Sequence, residues 1–237
     1  ITEKDATATY SDSIRLNLRG DLKVDAKALN GVDGVDQKNR STPLVFRDGN
    51  DGDNGTPGTN GQDAGDYMAY IWKEETTYFI YVQNILTKEE WRYKSIEPGM
   101  ISIDVSGGNG GKGGDGGNGG TGKDGKLESG KSKTPGNGGD AGFGGVGGNG
   151  GNAGSVICFL HSNAAELELK ISFNVSGGAA GQGGTKGKPG QPGKPLDGQT
   201  ASRVGRTGRD GRRGINGNDG QMPQVTIQEF DFSGYKN

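Results

Sequence analysis

Apolar residues recur with a period of two in several short stretches of the chain. Ile101, Ile103 and Val105 alternate with polar residues, as do Leu167, Leu169, Ile171, Phe173 and Val175. Shorter runs of the same kind are Ile14–Leu16–Leu18, Leu22–Val24–Ala26, Tyr78–Ile80–Val82, Val156–Cys158–Leu160 and Val225–Ile227. Alternation of this sort marks half-buried strands. No stretch carries the 3.6-residue pattern of a helix, so none is expected. Tyr67, Tyr70, Trp72, Tyr78, Phe79, Tyr81, Trp91 and Tyr93 crowd into one region, which is where the main hydrophobic core is expected.

Between the strands the period changes to three. Five runs place glycine at every third position: 49–61, 107–125, 136–154, 178–193 and 205–220. Three is the period of the left-handed polyproline-II conformation, which has no internal hydrogen bonds. Its N–H and C=O groups must therefore pair with neighbours or with water. A bare face lets two backbones approach closely enough to pair, so the number of glycine faces counts the neighbours. The runs at 107–125 and 136–154 bare two faces of three, with Ala141 and Ala153 as small substitutes, and read as interior. The runs at 49–61 and 205–220 bare one face, and 178–193 passes from two to one, so these read as edges. At ~3.1 Å per residue the two interior runs span roughly 56 Å each and the last two roughly 47 Å each, lengths that suit antiparallel neighbours.

A repeat at an offset of 70 sharpens this. ISIDVSGGNGGKGG at 101–114 matches ISFNVSGGAAGQGG at 171–184, a strand running straight into glycine. The expected unit is strand, run, tip loop, run, strand. Two tip loops, 126–135 and 194–204, are then expected side by side at the end far from the strands. The expected fold class is all-β plus a polyglycine-II bundle, with antiparallel strands feeding antiparallel glycine helices. Residues 1–100 are expected to form a β-rich module with an aromatic core, and 101–237 the bundle with interleaved strands. The run at 49–61 has no returning partner and stays unplaced; strands capping both ends is one reading.

Composition sets bounds. Glycine supplies 50 of 237 residues, and 41 of the 50 lie in the five runs. Val, Ile, Leu and Phe together supply only 41 residues, under the ~20% that accompanies disorder. The net charge of −2 is too small for a disordered polyelectrolyte. A conventional two-layer hydrophobic fold over the whole length is excluded. So is a helical membrane span, because no apolar run approaches ~18 residues. With 27 basic and 29 acidic residues, no general attraction to nucleic acid or anionic membrane is expected. Cys158 is the only cysteine, so there is no disulfide framework. The chain opens at Ile1 without a charged-then-apolar leader and reads as a processed form or a fragment.

Candidate chemistry is thin. Residues 125–132 match the phosphate-loop pattern GxxxxGKS, but that loop needs a strand before it and a helix after it. Here glycine precedes and Pro135 follows. Asp48, Asp51 and Asp53 do not complete a calcium loop. His161, the only histidine, falls in an expected turn with no second ligand for zinc. Alternation places Cys158 inside an apolar strand, away from any catalytic pairing. No catalytic, cofactor or metal site is expected, and the chain does not read as an enzyme. Asn39, Asn54 and Asn174 begin glycosylation sequons, relevant only in a eukaryotic secretory host.

Two groups of residues are candidates for recognition. Lys126, Glu128, Lys131 and Lys133 in one tip loop, with Leu196, Asp197 and Gln199 in the other, form the expected working end. Arg203, Arg206, Arg209 and Arg212, spaced by three, would stack on one face about 9 Å apart. A row of guanidinium groups suits sulfate, phosphate or uronate. It lacks the interleaved aromatics that stack single-stranded bases.

The runs GGNGGKGGDGGNGG and GGVGGNGGNAG, entered from alternating strands, resemble the polyglycine-II bundles of springtail antifreeze proteins and of the receptor-binding adhesins at phage long-tail-fibre tips. They also resemble collagen-like, glycine-rich surface proteins of bacteria. The resemblance is one of construction over residues 101–227 and loosely 31–65. It implies an extracellular, cell-surface structural or adhesion module whose tip loops recognise a surface glycan or protein. The alternatives are a self-associating block of an appendage or filament, a part of a larger parent protein, and an ice-binding protein. A collagen trimer is disfavoured because GKPGQPGKP and GRTGRDGRRG hold too few uninterrupted triplets.

Overall fold

The computed structural model describes residues 15–16, 19–42 and 47–235. It is all-β with very little helix. In chain order the strands are β1 (Arg15–Leu16), β2 (Arg19–Asp25), β3 (Tyr67–Glu74), β4 (Thr77–Asn84), β5 (Glu90–Ser95), β6 (Glu97–Asp104), β7 (Lys126–Glu128), β8 (Lys131–Lys133), β9 (Val156–His161), β10 (Ile171–Asn174) and β11 (Val225–Gln228). Ile14 and Leu18 of the first expected strand lie outside the described residues.

Two sheets face each other. One has the order β1-β5-β4-β3-β9-β11 and the other β10-β6-β2. Alternation sends Leu22, Val24, Ile101, Ile103 and Val105 from the small sheet toward Ala69, Ile71, Ile80, Val82, Val156, Cys158 and Leu160 of the large one. The core is thus mainly aliphatic; of the crowded aromatics Tyr67 lies within it and Tyr78, Trp91 and Tyr93 pack against it. The same alternation turns Tyr70, Trp72, Phe79, Tyr81 and Phe159 to the outer face of the large sheet. There Phe230, Phe232 and Tyr235 of the C-terminal tail cover them, with Trp72 stacked on Phe79 at 5.2 Å and on Phe232 at 5.5 Å. Trp72 is only 1% exposed, so these rings form a second apolar layer.

One expected strand is partly wrong. Residues 162–170 form a 3-10 helix, and β10 begins at Ile171. Ala164 and Leu167, three apart, are buried, whereas Leu169 is 93% exposed. Ala164 (φ −123°, ψ 17°) is a kink between two short 3-10 turns and Leu167 belongs to the second, so period two does not describe the burial here.

The glycine-rich stretches form six extended segments: I (26–41), II (47–64), III (105–125), IV (135–154), V (175–195) and VI (203–220). Segments I, III and V continue β2, β6 and β10; segments II, IV and VI lead into β3, β9 and β11. Every third N–H bonds along a neighbour running in the same direction, as in Gly31→Asn109 (2.7 Å), Gly110→Ala179 (2.9 Å), Gly58→Val146 (2.9 Å) and Gly147→Arg212 (2.9 Å). Other N–H groups bond to neighbours running the opposite way, as in Thr59→Val32 (2.9 Å), Gly111→Thr59 (2.8 Å), Gly145→Gly114 (2.8 Å) and Gly181→Gly148 (2.9 Å). The result is two layers, I–III–V and II–IV–VI, each the prolongation of a sheet. Segments III and IV bond to four others each, II and V to three, I and VI to two. The two segments that bare two faces take the most partners, while segments II and VI, each with one bare face, take three and two.

The strands that join the segments are parallel, not antiparallel as expected: β2, β6 and β10 in one sheet, β3, β9 and β11 in the other. Parallel strands need long crossovers, and each excursion out along one layer and back along the other is such a crossover. The 70-residue repeat appears directly as neighbouring strands, with Ile171 opposite Ile101 and Asn174 opposite Asp104. Segments I and II bond to III and IV across the boundary expected at residue 100. Segment II, unplaced from sequence, lies against segment I, whose only run glycines are Gly31 and Gly34.

Candidate functional site

At the end remote from the sandwich the chain makes two turns. In the first, Ser129 and Gly130 have φ of 50° and 76°, the pair of positive values that a two-residue type I′ hairpin requires. It joins β7 to β8, with Leu127 opposite Ser132. This hairpin contains the stretch with the phosphate-loop pattern, and no helix follows it. In the second turn the Gln199 N–H donates to the Leu196 carbonyl at 2.9 Å. Gly198 at φ 78° supplies the third position of a type II turn.

Gln199 ties the two turns together. Its Oε1 accepts from the Leu196 N–H at 3.0 Å, while Nε2 donates to Ser132 Oγ at 2.6 Å and to the Lys133 carbonyl at 2.9 Å. Ser202 Oγ donates to the Pro135 carbonyl at 2.7 Å. Arg47, from the start of segment II, donates to the carbonyls of Thr134 and Asp124 and fastens the hairpin base. Sequence reasoning missed Arg47 because nothing local links it to residues 124–134.

Of the proposed tip residues, Lys126, Glu128, Lys131, Lys133, Leu196 and Asp197 are exposed, whereas Gln199 is partly buried. Leu127 and Leu196 present 69% and 42% of their surface. Lys126 Nζ stands 2.9 Å from Glu128 Oε1, and this hydrogen bond and charge hold the Glu128 carboxyl below its usual range. The tip thus carries two apolar points among mostly basic side chains on a braced base.

The arginine row lies along segment VI. The carbonyls of Arg203, Arg206, Arg209 and Arg212 accept from Gly138, Ala141, Gly144 and Gly147, all at 2.9 Å, which keeps the four in file. Arg203 Nη1 and Arg206 Nε reach Asp140 at 3.2 and 3.9 Å. Asp140 also accepts the Arg206 main-chain N–H at 2.7 Å. That main-chain bond, with the two guanidinium groups, holds the Asp140 carboxyl below its usual range against partial desolvation. Among the described residues Arg209 and Arg212 make no ion pair.

Asp140 belongs to a wider device that the sequence reading did not find. Along each layer, Asn or Asp at every third position accepts an N–H of the next segment. Asn30, Asp33, Asp36 and Asn39 of segment I take those of Asn109, Lys112, Asp115 and Asn118. Asp48, Asp51, Asn54, Asn60 and Asp63 of segment II serve segment IV in the same way. This accounts for the acidic cluster once weighed as a calcium loop: Asp48 and Asp51 are ladder acceptors, and Asp53 pairs with Arg40. Among the described residues no group of three acidic, histidine or cysteine side chains converges to hold a metal. Asn39 and Asn54, both in sequons, are likewise ladder members.

His161 closes β9 instead of lying in a turn. Its Nδ1 accepts the Asn163 N–H at 3.2 Å, its Nε2 is 2.9 Å from Glu229, and Phe230 and Phe232 meet it edge-on. Cys158 is fully buried, and desolvation pushes its thiol up to about 12. Comparison with protein-family models, curated proteins and solved structures returns no match.

Proposed function

We propose that the chain is a non-enzymatic structural and adhesion module in which a rigid polyglycine-II bundle carries a two-loop tip away from a β-sandwich base. Three-residue hydrogen-bond spacing, extended segments and the absence of positive φ at the run glycines support the polyglycine-II reading. The run glycines serve close approach: a Cβ at Gly145 would stand 2.1 Å from the Thr56 carbonyl oxygen.

The observation that carries the functional reading is Gln199 bridging both loops. A base braced by side-chain bonds from segment II and from the second turn pre-organises whatever the loops present, which lowers the ordering cost of binding. Leu127 and Leu196 with Lys126, Lys131 and Lys133 suit a cell-surface glycan or protein bearing acidic groups. Localisation at the cell surface belongs to this proposal. The test replaces Leu127, Lys131, Lys133 and Leu196 together by serine, keeping Gln199 and Arg47, and measures adhesion to target cells or binding to a glycan array. Loss of binding with an unchanged melting temperature is expected; undiminished binding overturns tip recognition.

A second reading, a building block of an appendage, is favoured by one observation. Strands β2, β10 and β11 are open sheet edges, and each is continued by an outermost segment. Further copies could extend either layer laterally. A sedimentation mass that stays monomeric at all concentrations overturns that reading.

A further inference from the structure

The ladder along segment VI is interrupted at two adjacent steps. Asn137 and Asp140 of segment IV accept the main-chain N–H groups of Arg203 and Arg206 at 3.0 and 2.7 Å. Asn149 and Asn152 accept those of Ile215 and Asn218 at 2.8 and 2.9 Å. In the same file, positions 143 and 146 hold Phe and Val, which have no acceptor. Among the described residues the N–H groups of Arg209 and Arg212 therefore meet no acceptor, and their guanidinium groups meet no carboxylate. Phe143 and Val146 lie beside them, each 47% exposed.

We propose that this outer face of the II–IV–VI layer binds a linear acidic polysaccharide, two of whose carboxylate or sulfate groups accept the hydrogen bonds of Arg209 and Arg212 that aspartates at residues 143 and 146 would otherwise take. Asp140 provides the internal template. Its carboxylate takes one main-chain N–H and the guanidinium groups of Arg203 and Arg206; one and two steps further along, the main-chain N–H and guanidinium groups of Arg209 and Arg212 stand without such a carboxylate among the described residues. An incoming anion gains charge-assisted hydrogen bonds from donors already fixed in place. The apolar faces of the sugar rings rest on Phe143 and Val146.

The spacing favours a glycan over a nucleic acid. Three residues of an extended three-fold helix advance about 9 Å, a figure that rests on the polyglycine-II reading above. It is comparable to the repeat of a polymer charged once per disaccharide. Phosphates along a duplex strand recur every ~3.4 Å, so most would find no partner here.

The test measures binding of a hyaluronan oligosaccharide, which carries one carboxylate per disaccharide, to the full chain by calorimetry at low and high salt, with its methyl ester as neutral control. Binding to the acidic form alone, weakened by salt, is expected. Arg209→Ala and Arg212→Ala should each weaken it about tenfold. Phe143→Asp with Val146→Asp should abolish it while restoring the ladder, so that the melting temperature holds or rises. The tip-loop serine variant should bind the hyaluronan oligosaccharide as the parent does, which separates this face from tip recognition. Equal binding of the methyl ester, or tighter binding of a single-stranded oligonucleotide, overturns the proposal. So does a dimer that disperses on Val146→Asp and shows no glycan binding, since a second copy would then cover the face.

Discussion

Asn30 Oδ1 accepts the main-chain N–H of Asn109 at 2.8 Å, and the N–H of the next residue, Gly31, donates to the Asn109 carbonyl at 2.7 Å. One residue of segment III is thus held at both polar groups by two consecutive residues of segment I. The side chain completes what the backbone alone would leave half-paired.

If the ladder stabilises the layers, its members should be separately measurable. Asn149→Ala, which frees the Ile215 N–H, should cost about 1 kcal/mol. Asn149→Asp should cost far less, because the acceptor is retained. Chemical denaturation of the two variants decides the point.

Run glycines in the interior should tolerate no side chain. Gly145→Ala drives a Cβ to 2.1 Å from Thr56 O and 2.6 Å from its carbonyl carbon. Main chain bonded on several sides cannot yield cheaply, so a loss of about 3 kcal/mol or more, or failure to fold, is expected. Gly234→Ala, with nothing within 4 Å of the added Cβ, is the control and should be neutral. Thermal melts of both variants check this.

Acid should loosen the layers. Main-chain hydrogen bonds hold the carboxyls of Asp115 and Asp140 below their usual range, from Thr185 and Arg206 respectively. A depressed folded value means that the stabilisation is present above the unfolded carboxylate value, near ~3.9. It is lost as pH falls through the lower folded value. The melting temperature should therefore drop below about pH 4, and less steeply in Asp115→Asn and Asp140→Asn, which keep the acceptor without the titration. Melts recorded from neutral to strongly acid pH test it.

Gln199→Ala removes the two hydrogen bonds that couple the turns and a third within its own turn. Amide exchange should quicken at 126–133 and 196–202 and stay unchanged along segments III and IV.

Truncation after Glu229 strips Phe230, Phe232 and Tyr235 from the outer aromatic face. Trp72 should become exposed and its emission shift to the red. Trp91, 5.7 Å from Tyr67 at the sandwich core, should be unaffected. An unchanged spectrum would show that the tail does not cover the sheet.

Much of this was legible locally. The bare faces at 107–125 and 136–154 indicated interior segments, and these make the most inter-segment bonds. The pairing of the two tip loops followed from matched run lengths. Segment I is hard to read from sequence because the positions that bond to segment III are Ala28, Gly31, Gly34, Gln37 and Arg40, with glycine at only two of the five. Its signal was Asn30, Asp33, Asp36 and Asn39 at intervals of three, which is meaningful only once a donor is known to stand opposite. The aromatic crowding at 67–93 located the core only in part, because strand alternation gives two faces, and only the tail, more than a hundred residues later, buries the outer one.

By itself the sequence determined the period, the bare faces and the places where strand gives way to glycine, since these depend on residues close together in the chain. Only the tertiary structure decided that neighbours within a layer run parallel, which carbonyl or aspartate accepts each N–H, and which arginines stay unpaired. An extended segment has no hydrogen bonds of its own, so every partner it takes comes from a distant part of the chain.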